Sequence, residues 1–187
     1  MKKLKNILSL PLIILLLLSY AGNAQSKYID KNGEIVFEAS EKLFEEVKAE
    51  TKSATAILDT ETNKIASLAL VKGFRFKNSL MQEHFNENYI ESDTYPKATF
   101  RGELLDFDSS KLTESPADIL VDGKLKLHGK EKEVRTNLSV YKIGNTIGIK
   151  GMFKVAPEDF AIDIPKIVRN KIAKEVLVQL NFKLVQK

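Results

Sequence analysis

The stretch DILVDGKLKLHG, residues 118–129, decides the fold class. From Ile119 to Leu127 every second residue is apolar or glycine, and most of the residues between them are polar. A strand with one face on a core and the other in water requires this period of two. Gly129 follows the run and marks a turn. The stretch therefore predicts an antiparallel strand that ends in a hairpin.

The same period recurs along the chain. Strong alternation is repeated at 147–153 and 176–184, and weaker alternation occurs at 34–40, 53–58, 64–72, 98–107 and 132–141. Gly144 and Asn145 form a two-residue hairpin signal. Consecutive hairpins make a meander, and closing it removes exposed strand edges. We predict an all-β protein, an eight-stranded antiparallel barrel.

The segment after residue 76 interrupts the β pattern. Ser79 and Gln82 fit a capping box, in which two side chains satisfy free N–H groups of a first helical turn. Met81 and Phe85 then share a face at i,i+4 spacing. We expect a short helix here that closes one end of the barrel, and a second helical turn near 165–173.

The N-terminus has the layout of a secretory signal peptide. Three lysines lie within the first five residues, an apolar core spans 7–18, and the small residues Gly22 and Ala24 provide a cleavage site. The apolar core is too short to cross a bilayer comfortably as an anchor. We predict a signal peptide at 1–24, a mature domain at 25–187, and export to the periplasm or beyond.

Composition excludes several classes of protein. The 187 residues contain no cysteine, which removes disulfides, thiol catalysis and cysteine-based metal sites. Removing the three signal-peptide lysines lowers the net charge from +4 to +1, so nucleic-acid binding loses its electrostatic support. No catalytic motif is present, and we predict that the protein is not an enzyme and has no cofactor or metal.

The run FRFKNSLMQEHFNENYIESDTYPKATFRG, residues 74–102, resembles the central signature of the YceI-like family. The GKLKLHG hairpin at 123–129, Phe153 and the DFAI step at 159–162 resemble the rest of the pattern. The likeness extends from about Gly33 to Leu184. It implies a periplasmic, lipocalin-like barrel with a polyisoprenoid chain or isoprenoid quinone in its lumen, and it transfers no specific binding residues.

The alternation points an uncharged face inward. An eight-stranded barrel either fills its interior with such side chains or holds one small ligand, and the sequence pattern permits both. Gly102, Gly123 and Gly151 interrupt the inward series and favour free space, as the resemblance does. We therefore expect Gly123→Phe to fill the lumen and leave the fold intact. The predicted ligand-binding residues of lumen and helix are Phe37, Leu80, Met81, His84, Phe85, Phe100, Gly102, Val121, Gly123, Leu125, Ile149, Gly151, Phe153, Phe160, Val178, Leu180 and Phe182.

Two histidines require separate treatment. His84 or Tyr89 could donate a hydrogen bond to a quinone oxygen, and His128 is predicted on the outward face of its strand. Neither belongs to a metal-ligand motif. The function predicted is storage or transport of an apolar isoprenoid-type lipid, with transient membrane contact. The sequence leaves open whether the protein is a monomer or a homodimer. The alternative is a packed, ligand-free barrel that acts through its surface in interactions or stress responses.

Overall fold

A computed structural model describes residues 26–41 and 45–187. Strands dominate these ranges. The strands are β1 (Lys27–Ser40), β2 (Lys48–Asp59), β3 (Lys64–Leu70), β4 (Arg75–Phe76), β5 (Lys97–Leu104), β6 (Ala117–Leu127), β7 (Lys130–Ile143), β8 (Thr146–Val155) and β9 (Ile172–Gln186). The α-helix α1 spans Ser79–His84, and 3-10 turns span Val71–Gly73, Ser109–Lys111 and Pro157–Phe160.

The strands form one closed antiparallel sheet. Their order is β1-β9-β8-β7-β6-β5-β3-β2, and β1 also pairs with β2, which closes the cylinder. The two-residue β4 adds to the start of β2 outside this ring. The predicted all-β, eight-stranded antiparallel barrel with a short helix is confirmed.

The first two strands are longer than their sequence pattern indicates. Gly33 pairs with Ala54 and Ile35 pairs with Thr51, so two steps along β1 are matched by three along β2. This β-bulge adds one residue to β2 and shifts the inward positions from Thr51 to Ala54. A second shift, between Asp30 and Gly33, adds one residue to β1. The period of two is interrupted at each shift, so the sequence pattern predicts only 34–40 and 53–58 of these strands.

The helix begins one residue earlier than the capping box indicates. Asn78 is the N-cap, and its side-chain oxygen accepts hydrogen bonds from the backbone N–H groups of Leu80 and Met81. The prediction that Ser79 caps the helix is wrong. Gln82 has another role, because its Oε1 accepts from the backbone N–H of Phe76 at 3.2 Å.

The helix ends in an irregular turn. A π-helical turn, Phe85–Tyr89, continues α1 to the end of the segment. No helix forms at 165–173, which consists of turns followed by the start of β9, so the second helical turn predicted there is wrong. The predicted signal peptide at 1–24 lies outside the described residues. Within 26–41 and 45–187, no helix has the length and apolarity needed to cross a bilayer.

One end of the barrel is filled by side chains. Six strands and the loop after β5 contribute large apolar residues to this end, and all of these residues are at most 7% exposed. They are Tyr28, Leu58, Leu104, Phe107, Val140, Ile147 and Leu184. Close packing of this kind is the normal state of a protein interior. This end is therefore a conventional hydrophobic core, and we call it the packed end.

The inward glycines accommodate neighbouring rings and do not leave free space. A Cβ at Gly123 would lie 2.5 Å from the backbone oxygen of Arg101 and 2.6 Å from the ring of Phe100. Gly102, which pairs with Gly123, meets the same ring at 2.8 Å. The Gly151 position is occupied by a methyl group of Leu138 at 2.5 Å. The interpretation of these glycines as vacant space is therefore wrong, and so is the expectation that Gly123→Phe leaves the fold intact.

Gly123→Ala is expected to destabilise the protein by about 1–3 kcal/mol, the cost of overpacking a filled site. The physical reason is that the new methyl group would overlap a backbone oxygen, which can move only if the β5–β6 pairing shifts. Urea unfolding followed by circular dichroism measures the change. Gly73→Ala is the matched control, because its Cβ would meet nothing closer than the Thr51 hydroxyl at 3.3 Å. Equal stability of the two variants would contradict the packing explanation.

Asn78→Ala is expected to lower stability by about 1 kcal/mol, the usual cost of losing an N-cap. The same change at Ser79 is the control, and it should have little effect because Asn78 supplies the side-chain cap. Thermal unfolding of the two variants compares them directly. A larger loss for Ser79→Ala would restore the capping box that the sequence suggested.

Candidate functional site

The half of the barrel beyond the packed end is hollow. It encloses a cavity of about 520 Å³, within the range of roughly 300–1,000 Å³ typical of small-molecule sites. Inward side chains of seven of the eight barrel strands form its wall, and none of these wall residues on the barrel strands is charged. The interior of this half is thus an apolar compartment.

Small side chains on adjacent strands create the free volume. Ser67 and Ala69 of β3 lie beside Phe100 and Ala98 of β5, and all four residues line the cavity. The facing side is built from larger residues of β8 and β9, such as Phe153. Many of these wall residues are only half-buried although they point inward, because the space before them is open.

Most of the residues predicted from sequence line this cavity. The lining includes Phe37, Leu80, Met81, His84, Phe85, Phe100, Val121, Leu125, Ile149, Phe153, Phe160, Val178, Leu180 and Phe182. The three glycines of the prediction, Gly102, Gly123 and Gly151, are not among the lining residues. Whether the lining residues contact a ligand stays a prediction, and the glycines enter only through the packing of their neighbours.

An aromatic cluster attaches the helical segment to the barrel wall. Phe85 of the π-turn stacks on Phe37 of β1, with ring centroids 5.2 Å apart. Phe74 and Phe76 pack against the same pair, at 5.3 Å from Phe37 and 5.1 Å from Phe85 respectively. Ring pairs in tilted and offset arrangements of this kind stabilise beyond the area that they bury. The cluster holds the helix over the cavity.

The exposed lining residues locate the mouth of the cavity. They are Glu45, Asn78, Leu80, His84 and Lys171. These five belong to three segments: the connection between β1 and β2, the helix α1 with its N-cap, and the loop before β9. The cavity therefore opens between these segments, at the end of the barrel opposite the packed end.

Polar contacts join two of the three segments at the mouth. Lys77 donates to Glu46 at 2.6 Å, and Asn78 Nδ2 donates to Glu45 at 3.4 Å. The hydrogen bond from Lys77 and its positive charge lower the pKa of Glu46. In turn, the hydrogen bond to Glu46 and its negative charge raise the pKa of Lys77. Both groups are fully exposed, so this ion pair positions the helix start and contributes little stability.

Next to the mouth, this end of the barrel is closed by a group of contacts around His128, which we call the lid. His128 lies in the turn after β6, with a side chain only 12% exposed, and its Nδ1 is 2.9 Å from the backbone oxygen of Phe160. Its Nε2 is 3.3 Å from Glu91, and its ring packs edge-on against Tyr95. The prediction of an outward His128 on its strand is wrong, because the residue lies in a left-handed turn after β6 and its ring is covered by Tyr95 and the loop at Phe160.

A second apolar cluster lies beneath this lid. Phe160 and Ile162, from the loop before β9, pack with Val71 and Ile90. Ile90 follows the π-turn directly, so the cluster joins the loop to the helical segment. The lid and the aromatic cluster leave the mouth as the exposed part of the cavity lining.

The arrangement is suited to holding an apolar molecule. Within 26–41 and 45–187, no three His, Cys, Asp or Glu side chains converge as ligands for a metal ion. Of the two predicted polar contacts, His84 lies exposed at the mouth, and Tyr89 is half-buried in the cavity lining. The predictions that the chain has no metal, no cofactor and no catalytic activity stay predictions.

Sequence reasoning missed the residues that form the mouth. Glu45, Asn78, Ile164, Val168 and Lys171 line the cavity without belonging to any alternating strand. Their positions depend on the loops that surround the barrel end, for which a period-two pattern carries no signal. The small inward residues of β3 were likewise unassigned, although their alternation was visible in the weak run at 64–72.

Three solved structures resemble the fold. The chain matches a polyisoprenoid-binding domain from Saccharophagus degradans implicated in plant cell wall breakdown, with a TM-score of 0.75, 15% identity, and coverage of 88% of this chain and 100% of that one. Burkholderia cenocepacia BcnA matches with a TM-score of 0.65 and 18% identity, and the match covers 81% of this chain and 96% of that one. The Campylobacter jejuni YCEI protein matches with a TM-score of 0.63 and 15% identity, and the match covers 79% of this chain and 89% of that one.

The sequence itself establishes the family. No curated protein sequence matches the chain. The profile of the YceI-like domain matches residues 27–184, which correspond to β1 through most of β9 and therefore include every segment that borders the cavity. The match covers most of the chain, and the protein belongs to the YceI-like family.

Proposed function

We propose that this protein binds an apolar isoprenoid-type lipid, a polyprenyl chain or the tail of an isoprenoid quinone, in the hollow half of its barrel. The observation that carries the proposal is the cavity of about 520 Å³ whose strand-borne walls are uncharged and which opens at one end. An interior without compensating groups disfavours a charged ligand strongly and accepts a hydrocarbon chain.

The energetics of such a site favour chain length over chemical detail. Each buried methylene contributes about 0.8 kcal/mol, so a five-carbon isoprene unit contributes on the order of 3 kcal/mol. Tight binding therefore requires no specific hydrogen bond inside the barrel. Polar side chains at the mouth, among them His84 and Asn78, lie where a head group would emerge.

The comparisons support this assignment. One structure with the same fold is a polyisoprenoid-binding domain, although its 15% identity makes the likeness one of fold. The alternative of a packed barrel that acts only through its surface is disfavoured, because half of the interior is hollow. Export by the N-terminal segment and storage or transport between membranes complete the proposal, in which the protein sequesters its cargo and performs no catalysis.

The first test is mass spectrometry of an organic extract of natively purified protein, with a denatured and refolded sample as control. A prenyl lipid near one mole per mole of protein, present only in the native sample, is expected. An extract without lipid, together with no uptake of added polyprenyl compounds, would contradict the proposal.

Ala98→Trp is expected to reduce lipid occupancy at least severalfold with a fold that stays intact. Ala98 lines the cavity beside Ala69, so an indole here would enter the free volume. Ala66→Trp is the matched control, because Ala66 pairs with the exposed Arg101 and faces outward on the adjacent strand. Bound lipid per folded protein is measured for both. Equal occupancy in the two variants would place the lipid outside this cavity.

A further inference from the structure

The loop before β9 carries a concentration of positive charge. With the first three residues of β9 it forms the sequence PKIVRNKIAK, residues 165–174, which contains four basic residues and no acidic one. We call this stretch the 165–174 loop. Ile167 lies in the middle of this run and is 85% exposed, the highest value among the exposed large apolar residues of the described chain. The loop therefore presents an exposed apolar side chain flanked by cations.

The same loop forms one side of the cavity mouth. Val168 and Lys171, on either side of Arg169, both line the cavity, and Ile172 beyond them begins β9. Leu80, which is 57% exposed, belongs to the helix on another side of the opening. The two exposed apolar side chains, Ile167 and Leu80, therefore border the entrance through which a ligand would pass.

Most of these cations lack an anionic partner within the protein. Arg169 lies 3.7 Å from Asp163 and donates to the backbone oxygen of Ile164. Among the residues that the structure describes, Lys166, Lys171 and Lys174 have no carboxylate within ion-pair distance. Their charge is available to an external anion, whereas the lysine at the helix start, Lys77, is already paired with Glu46.

We propose that the 165–174 loop and Leu80 form a docking rim that places the cavity mouth on an anionic lipid bilayer. This inference rests on the proposed function, since it assigns the surface from which the cavity is loaded. Basic side chains near an anionic leaflet are attracted to its phosphates, and exposed apolar side chains enter the interfacial region. The rim combines both features at the cavity opening, so that a lipid tail passes from the bilayer to the lumen without crossing water.

The charge content of the rim also explains why binding should be transient. A surface of a few lysines and two apolar side chains contributes far less than a membrane-spanning helix. Glu45 and Glu46, in the connection between β1 and β2, add negative charge near the mouth and oppose a closer approach of that segment to an anionic surface. The rim is thus suited to reversible contact, with the loop side leading.

The experiment is flotation of the purified, full protein with vesicles of phosphatidylcholine containing 30% phosphatidylglycerol, compared with phosphatidylcholine alone. The double variant Lys166→Glu/Lys174→Glu is expected to bind anionic vesicles at least about 30-fold more weakly, since each basic side chain contributes about a fivefold gain at such a surface. The control is Lys31→Glu/Lys64→Glu, which makes the same charge change at exposed sites away from the mouth.

A second matched pair of variants tests the contribution of the exposed apolar side chain of the rim. Ile167→Asp is expected to weaken flotation, while Ile143→Asp, at a 55% exposed site on the hairpin between β7 and β8 near the packed end, should leave it unchanged. Thermal unfolding of each variant confirms the fold, and the lipid extracted from each sample is quantified in parallel.

The outcomes separate the two proposals. Selective loss of flotation in the rim variants, with cargo retained, supports the docking rim. Equal loss in rim and control variants, or wild-type binding that ignores vesicle charge, overturns it whatever the cargo measurement shows. Absence of cargo from every sample would contradict the proposed function, while charge-selective flotation would still assign the rim as a membrane contact.

Discussion

Pairing of β1 with both β2 and β9 is the constraint on which the rest of the structure depends. It converts a meander into a cylinder whose interior width is fixed by the number of strands. Gly33 lies where β1 bends, and the ring of Phe182 occupies the space in which its side chain would stand. A larger residue at this position would force β1 away from its neighbours. Closure and inward packing are therefore determined together.

Once the cylinder is closed, side-chain size determines where it is hollow. Leu58 and Leu104 belong to the packed end, whereas Ser67, Ala69 and Ala98 occupy the same strands or their neighbours on the hollow side. The difference between core and cavity thus lies in short stretches of β3 and β5. The helix, held by the aromatic cluster around Phe37, then prevents this space from collapsing or filling with loop residues.

The sequence predicts the strands well where their alternation is unbroken and poorly where it is not. The alternation predicts β6 and β8 to within a few residues, because each keeps one register with both of its neighbours. For β9 it predicts only the part from Val176 onward, because the pairing with β1 shifts register before that point. The alternation predicts β1 and β2 too short because each contains a register shift, between Asp30 and Gly33 in β1 and between Thr51 and Ala54 in β2, that exchanges the two faces of the strand. The same alternation predicts most of the cavity residues, because it identifies which of two successive residues in a strand faces the interior.

The errors have a common physical cause. The role of Gly123 depends on the ring of Phe100, which lies on the neighbouring strand two residues from the pairing partner of Gly123. The cap at Asn78 depends on the path of the chain before the helix. Neither relation has a fixed spacing in sequence. The mouth was missed for the same reason, since Glu45 and Lys171 are separated by most of the chain and meet only through the barrel.

The contrast between the lumen and its mouth determines what such a protein can distinguish. Inside the barrel, binding energy grows with the apolar area that a ligand buries, so chains of similar length and width bind alike. Polar and charged groups are available only at the opening, where Glu45, His84 and Lys171 are exposed to water and contribute weakly. Selection of cargo by the barrel alone is therefore coarse. A finer choice must come from where the mouth is placed, because a bilayer presents only the lipids that it contains.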